Sequence, residues 1–256
     1  RGGHEATARV SGPDVRARFN QVKVTCVDAE ELKSDGAGHG LVIESGADVE
    51  VNGGALTGCA GYGVFADQSK LVVDQSARLN NHQLGAIRLE AALEGSEIRS
   101  AMIENNRGFG IGLFCGSLNI INCTISDTTN PGGGDGVVAS VLTGLAEDDP
   151  RIGCATELMV GGEGETLGNM IQSNQRAGVL VDGDVSALIQ NNDLQNNGNG
   201  GIWVVGQDEG NERFVEIIKN VVELNKHVGI GIVNQAQAEV KGNEVRDTLP
   251  IDDFSG

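Results

Sequence analysis

A glycine followed by a short run of alternating apolar residues recurs along the chain: Gly40-Leu-Val-Ile, Gly63-Val-Phe-Ala, Gly85-Ala-Ile-Arg-Leu, Gly110-Ile-Gly-Leu, Gly136-Val-Val-Ala, Gly178-Val-Leu-Val, Gly201-Ile-Trp-Val and Gly229-Ile-Gly-Ile. Successive glycines stand 23, 22, 25, 26, 42, 23 and 28 residues apart. Alternation with a period of two is the pattern of a half-buried strand. Each repeat carries a second strand-like run, such as Leu118-Asn-Ile-Ile, Ala187-Leu-Ile-Gln-Asn and Phe214-Val-Glu-Ile-Ile-Lys-Asn. No repeat holds the ten or more residues of 3.6-period pattern that a helix needs. The predicted elements are short strands, two or three to a repeat.

Such a unit cannot bury its apolar face alone, but stacking the units sets each strand beside its successor and closes a continuous core. That arrangement is a parallel β-helix. Four residues before five of the glycines stands an asparagine: Asn81, Asn106, Asn174, Asn197 and Asn225. Asparagine tolerates left-handed backbone angles and can bond to turn backbone and to the next asparagine along a stack, so these positions predict corner turns carrying an asparagine ladder. Gly36 and Gly132 hold the same offset, and Cys59 fills it before Gly63 as a small buried residue.

From about Gly38 to Val245, through the Gly-apolar strand and the Asn-x-x-x-Gly turn, the chain resembles the right-handed parallel β-helix repeat proteins, the superfamily of pectate lyases and polygalacturonases. The resemblance implies an all-β, right-handed solenoid of eight to nine coils, a rod roughly 40 Å long at ~4.8 Å per coil. Residues 38–256 are expected to form one continuous β-helix domain. Residues 1–37 are expected to form an irregular N-terminal coil or cap, with Val22-Lys-Val-Thr-Cys-Val as one more strand.

Two repeats are too long, and the excess follows the glycine-led strand in both. It falls around Gly144-Leu-Ala-Glu-Asp-Asp-Pro-Arg-Ile-Gly-Cys and at Gly206-Gln-Asp-Glu-Gly-Asn-Glu-Arg. Loops grafted on a regular scaffold are where binding tends to reside. Alternation places Val42, Phe65, Val138, Leu180 and Trp203 on the outside at one level, and Glu44, Asp67, Phe114, Ser140, Asp182 and Val205 at the next. After Gly85, strict alternation would bury Arg88, so a one-residue shift is expected there that turns Ile87 and Leu89 inward and sets Glu90 beside Glu44 and Asp67. The three carboxylates form a candidate Ca²⁺ site, although at ~4.8 Å in water each repulsion is only about 0.9 kcal/mol and requires no metal.

Composition narrows the function. The 39 glycines and 3% aromatic content imply packing by small and β-branched side chains rather than a ring-anchored core. The net charge of −18 repels nucleic acid and anionic lipid, and also polyuronate unless a divalent cation intervenes. No apolar run is long enough to span a bilayer. Five cysteines without C-x-x-C spacing disfavour a structural zinc and leave at least one thiol without an intrachain partner. The start at Arg1, without a leader, reads as a trimmed product.

Catalytic signatures are weak. Gly38-His39-Gly40 matches a polygalacturonase triplet but stands in the wrong order relative to the acidic motifs, and no lyase motif surrounds Arg151 or Arg213. A generic pair of carboxylates could come from Asp148, Asp149, Asp182, Asp208 and Glu209 around Trp203. The leading expectation is a secreted or cell-surface binding or structural module that contacts a polysaccharide or cell-surface glycan through Trp203, Leu180, Asp182, Arg151 and Arg213, with no required cofactor. The alternatives are a polysaccharide hydrolase or Ca²⁺-assisted lyase using the same carboxylates, and a scaffold that self-assembles into homo-oligomers through the apolar stripe.

Overall fold

The computed structural model describes residues 6–26, 38–130, 133–142, 144–146, 148–149, 151–164, 166–206 and 213–250. Among them every regular element is a strand and every strand pairing is parallel. The first sheet holds the glycine-led strands: Ala6–Ser11, His39–Glu44, Tyr62–Asp67, Gly85–Ala92, the start of Phe109–Ile121, Asp135–Ser140, Ala177–Asp182, Gly200–Val205 and Val228–Val233. A second sheet runs from Arg16–Asn20 to Ala238–Lys241, and a third from Lys23–Thr25 to Glu244–Arg246. Each strand bonds to its counterpart one coil on, and nine coils result among the described residues. Phe109–Ile121 passes unbroken from the first sheet into the second. Coils 1 to 9 are numbered here from the N-terminus.

Within the segment 1–37, residues 6–25 supply the first rung of all three sheets, in register with coil 2. The core is a column of small and β-branched side chains, among them Ile43, Ile87, Ile111, Val137, Val179 and Ile202, all fully buried. The shift predicted after Gly85 is present: Gly85 pairs with Tyr62 rather than Gly63, Ile87 and Leu89 are buried, and Glu90 pairs with Asp67.

The corners revise the asparagine reading. The residue in the left-handed region precedes the ladder member, as at Asn105 (φ 56°), Ser173 (56°), Asn196 (54°) and Leu224 (55°). That residue turns the chain and aims the next side chain inward. The buried stack then reads Cys59, His82, Asn106, Thr128, Asn174, Asn197 and Asn225. Asn197 Nδ2 donates to Asn225 Oδ1 at 2.9 Å and to the Ile171 carbonyl at 3.1 Å, while its Oδ1 accepts from Asn174 N–H and Nδ2. Asn81 is exposed and lies outside the stack, because the one-residue shift moves its place to His82. Gly36 and Gly132 fall outside the described residues.

A second ladder, at the corner between the second and third sheets, joins Asn169, Asn192, Asn220 and Asn243 through bonds of 2.8–3.0 Å. The repeated glycine is required by close approach. A Cβ on Gly178 would stand 2.7 Å from the Gly201 carbonyl oxygen and 3.0 Å from Asn197 Nδ2.

Two disulfides, Cys26–Cys59 and Cys115–Cys154, tie the N-terminal coil and the long insertion to the rod. Cys123 is a free buried thiol whose pKa burial pushes up to about 12, so it stays protonated.

Candidate functional site

Pairing along the first sheet puts side chains far apart in sequence into straight outward rows. Val42, Phe65, Arg88, Gly112, Val138, Leu180, Trp203 and Gly231 are successive partners. The next row reads Glu44, Asp67, Glu90, Phe114, Ser140, Asp182 and Val205. Both rows match the alternation of the sequence, but Val42, Phe65 and Val138 are buried despite pointing outward, so the stripe is only partly open. A third row, three residues earlier, contains His39, Tyr62 and Phe109.

Rings fill the space that the glycines leave. His39 stacks on Tyr62 at 5.4 Å, Tyr62 on Phe109 at 5.7 Å, and Phe109 meets Phe114 at 5.8 Å. Phe109 and Phe114 both lie over Gly112, where a Cβ would come within 2.6–2.7 Å of their ring carbons. The Arg88 guanidinium sits over the Phe114 ring at 4.1 Å, donates to the Tyr62 hydroxyl at 3.3 Å and to Glu90 at 2.7 Å. Farther along, Trp203 lies flat over Gly231, beside Leu180 in the adjacent coil. Its ring stacks on the exposed His227 at 6.3 Å, and its Nε1 donates to the Asn199 carbonyl at 3.3 Å. Tyr62, Phe109, Phe114, Leu180 and Trp203 are half-buried, each with one flank in solvent.

The acidic residues take a different arrangement from the expected cluster at Trp203. Glu44, Asp67 and Glu90 do stack on one another, but arginines stand against them. Arg9 bonds Glu44 at 3.0 Å, and Arg151 bonds Glu90 at 2.8 Å and Asp67 at 3.5 Å. Among the described residues no group of three or more His, Cys, Asp or Glu side chains is placed to hold a metal ion.

Arg151 also chelates Asp149 at 2.8 Å, and that bond holds its guanidinium firmly charged. Burial raises the Asp67 pKa above the ordinary carboxylate value, and Arg151 opposes the rise. The described part of the insertion at Asp149 and Arg151 therefore reaches back toward the N-terminus, to coils 3 and 4, beside the Tyr62–Arg88–Phe114 surface. Trp203 lies four coils beyond, roughly 20 Å away.

Of the proposed site residues, Leu180, Asp182 and Trp203 share a surface. Arg151 and Asp149 belong to the other end of the face, and Asp148 is exposed on the insertion. Arg213 pairs with Asp184 at 3.7 Å at the corner leading to the second sheet. Asp208 and Glu209 lie outside the described residues. The 42-residue step also contains a second excursion, 161–169, between the second and third sheets. Tyr62, Arg88 and Phe109 were missed as site residues; Tyr62 and Phe109 each stand immediately before a repeat glycine, a position that looks like a turn but opens the strand.

The architecture is that of a right-handed parallel β-helix protein. A family profile described as a right-handed beta helix region matches residues 158–250. Among solved structures, the periplasmic alginate epimerase AlgG is similar at 13% identity and a TM-score of 0.49, over 88% of this chain and 55% of that one. The chain thus spans about half the length of that protein. The A-module of the Azotobacter vinelandii mannuronan C-5 epimerase AlgE4 is similar at 14% identity and a TM-score of 0.50, over 96% of this chain and 76% of that one. At these identities the likeness is one of fold. No curated protein sequence matches the chain.

Proposed function

We propose that the protein binds a linear polysaccharide laid along the outward face of its first sheet, between Tyr62 in coil 3 and Trp203 in coil 8. The observation that carries this reading is a discontinuous line of half-buried apolar groups on one face, with rings in coils 3, 5 and 8 and Leu180 in coil 7. Tyr62, Phe109 and Phe114 stand at one end and Leu180 with Trp203 at the other, over about 24 Å. Flat rings suit the C–H faces of sugars, and the Arg88, Tyr62 and Asp182 polar groups beside them suit hydroxyls. One solved structure of similar fold, the AlgE4 A-module, is named as a mannuronan C-5 epimerase, which supports a polysaccharide as the ligand.

Binding rather than cleavage is favoured because Asp67, Glu90 and Asp149 are all drawn onto Arg151. The same ion pairs make a bridging Ca²⁺ unnecessary for this face. Two disulfides favour an extracellular or cell-surface location, since such bonds persist in oxidising compartments, and no helix among the described residues is long and apolar enough to cross a membrane. A glycan array probed with and without Ca²⁺, and repeated with Trp203→Ala, tests the reading. Retention of specific glycans in both ionic conditions, lost in the variant, is expected. No retention, or retention of neutral glycans indifferent to the substitution, refutes it.

A further inference from the structure

The second sheet treats its acids in two ways. In coils 1 to 4 its outward carboxylates are paired with cations: Glu50 with Arg18 at 2.6 Å, Asp48 with Lys70 at 3.8 Å, and Asp74 and Glu97 with Arg99 at 2.9 and 3.1 Å. In coils 5 to 8 the same face forms a shallow depression of about 290 Å³, with Glu157 and Glu216 in its lining, Met159, Leu188 and Phe214 as its apolar part, and Ser117 and Asn119 at its coil-5 edge. Among the described residues neither glutamate takes part in an ion pair, and the nearby Arg213 is engaged by Asp184. Pairing fixes the layout. Glu157 neighbours Ser186, and Met159, Leu188 and Glu216 follow one another in the adjacent row. The two carboxylates therefore stand at opposite corners, about 12 Å apart by rung and pleat spacing.

We propose that this depression is a second polysaccharide subsite, selective for protonated amino sugars. The ammonium groups of a glucosamine-type chain would meet Glu157 and Glu216, its ring faces Met159, Leu188 and Phe214, and its hydroxyls Ser186. The net charge of −18 acts in the same direction, since it attracts a polycation and repels a polyuronate. The hydroxyl between the acids and the open, shallow floor favour a sugar over a basic peptide. The inference rests on the reading that the protein contacts polysaccharide, but it concerns a different face and a ligand of defined charge.

The test is titration calorimetry of the whole chain at weakly acidic pH with a glucosamine oligosaccharide, its N-acetylated counterpart, and a Lys/Leu peptide of equal charge. Wild type is expected to prefer the glucosamine chain over the acetylated one by about fivefold to tenfold, the yield of two exposed ion pairs, and to bind the peptide more weakly. The preference should vanish in Glu157→Gln/Glu216→Gln and persist in Trp203→Ala. Equal binding of both sugars, a preference that survives the double substitution, or a peptide that binds as well as the sugar would overturn it. If one of these outcomes occurs while neutral glycans still bind and Trp203→Ala abolishes that binding, the subsite fails and the first-sheet reading stands.

Discussion

Lowering the pH from 7 to 5 should cost the protein about 2 kcal/mol at one buried ring, that of His82. This side chain occupies an asparagine position in the first ladder and is fully buried. Its Nδ1 accepts from the Cys59 N–H at 3.2 Å, which leaves the proton on Nε2, where it donates to the Leu56 carbonyl at 3.1 Å. A second ring proton would face a donor and lose the bond to Cys59. Burial accordingly lowers the His82 pKa to about 4, and the bond to Leu56 offsets this only in part.

The sign follows from linkage. Between the folded value near 4 and the ordinary value of about 6.5, the unfolded chain binds the proton and the folded chain does not, so stability is complete above the upper value and falls as pH drops through the window. His82→Asn removes the titration and keeps the ladder, because Asn106 in the next coil makes the equivalent pair of bonds, to His82 N–H and the Leu79 carbonyl. Urea unfolding at pH 7 and 5 should show a wild-type loss that exceeds the variant's by about 2 kcal/mol. Since Asp67 and every other acid are common to both proteins, superimposed pH profiles would refute the buried neutral ring.

Three further outcomes follow from the same contacts. Asn197→Ala removes the side-chain partner of the Ile171 carbonyl and of the Asn174 N–H at once, while Asn225 Oδ1 keeps the bond from the residue-197 N–H, and should cost about 3 kcal/mol in urea unfolding. Arg151→Met leaves Asp149, Glu90 and Asp67 without their shared cation, so limited proteolysis should cut within 141–155 faster than in wild type while the coils stay resistant. Reduction of Cys115–Cys154, which closes a loop of separation 39, should lower stability by about 3–4 kcal/mol, measured as a lowered denaturant midpoint.

Much of the fold was legible because the backbone demand repeats. A glycine stands in most coils where the strand passes the ladder residue of its neighbour, with Ala86 in that place in coil 4, and alternation after it assigns the faces, down to the one-residue shift that buries Ile87 and Leu89. The ladder itself was only half legible. A fixed offset counts residues, whereas the stack counts backbone register, so Asn81 was named where His82 stands, and Thr128 was passed over. The second ladder was readable from Asn169, Asn192, Asn220 and Asn243, spaced 23, 28 and 23 residues apart in the rhythm of the coils. The direction taken by the insertion was not readable. Nothing local to Asp149 or Arg151 says that they reach back to Asp67 and Glu90, because that choice is made by charge in space and by the bond from Cys154 to Cys115.

Trp203 is the only tryptophan of the chain, so its emission reports the first-sheet surface without any label. Titrating the protein with soluble polysaccharides while following that emission tests the binding surface most directly. A saturable change in intensity or wavelength with a glycan that also binds by calorimetry, abolished by Leu180→Asp in the adjacent rung, is the predicted result. Neutral glycans that bind by calorimetry and leave the emission of Trp203 unmoved would contradict it.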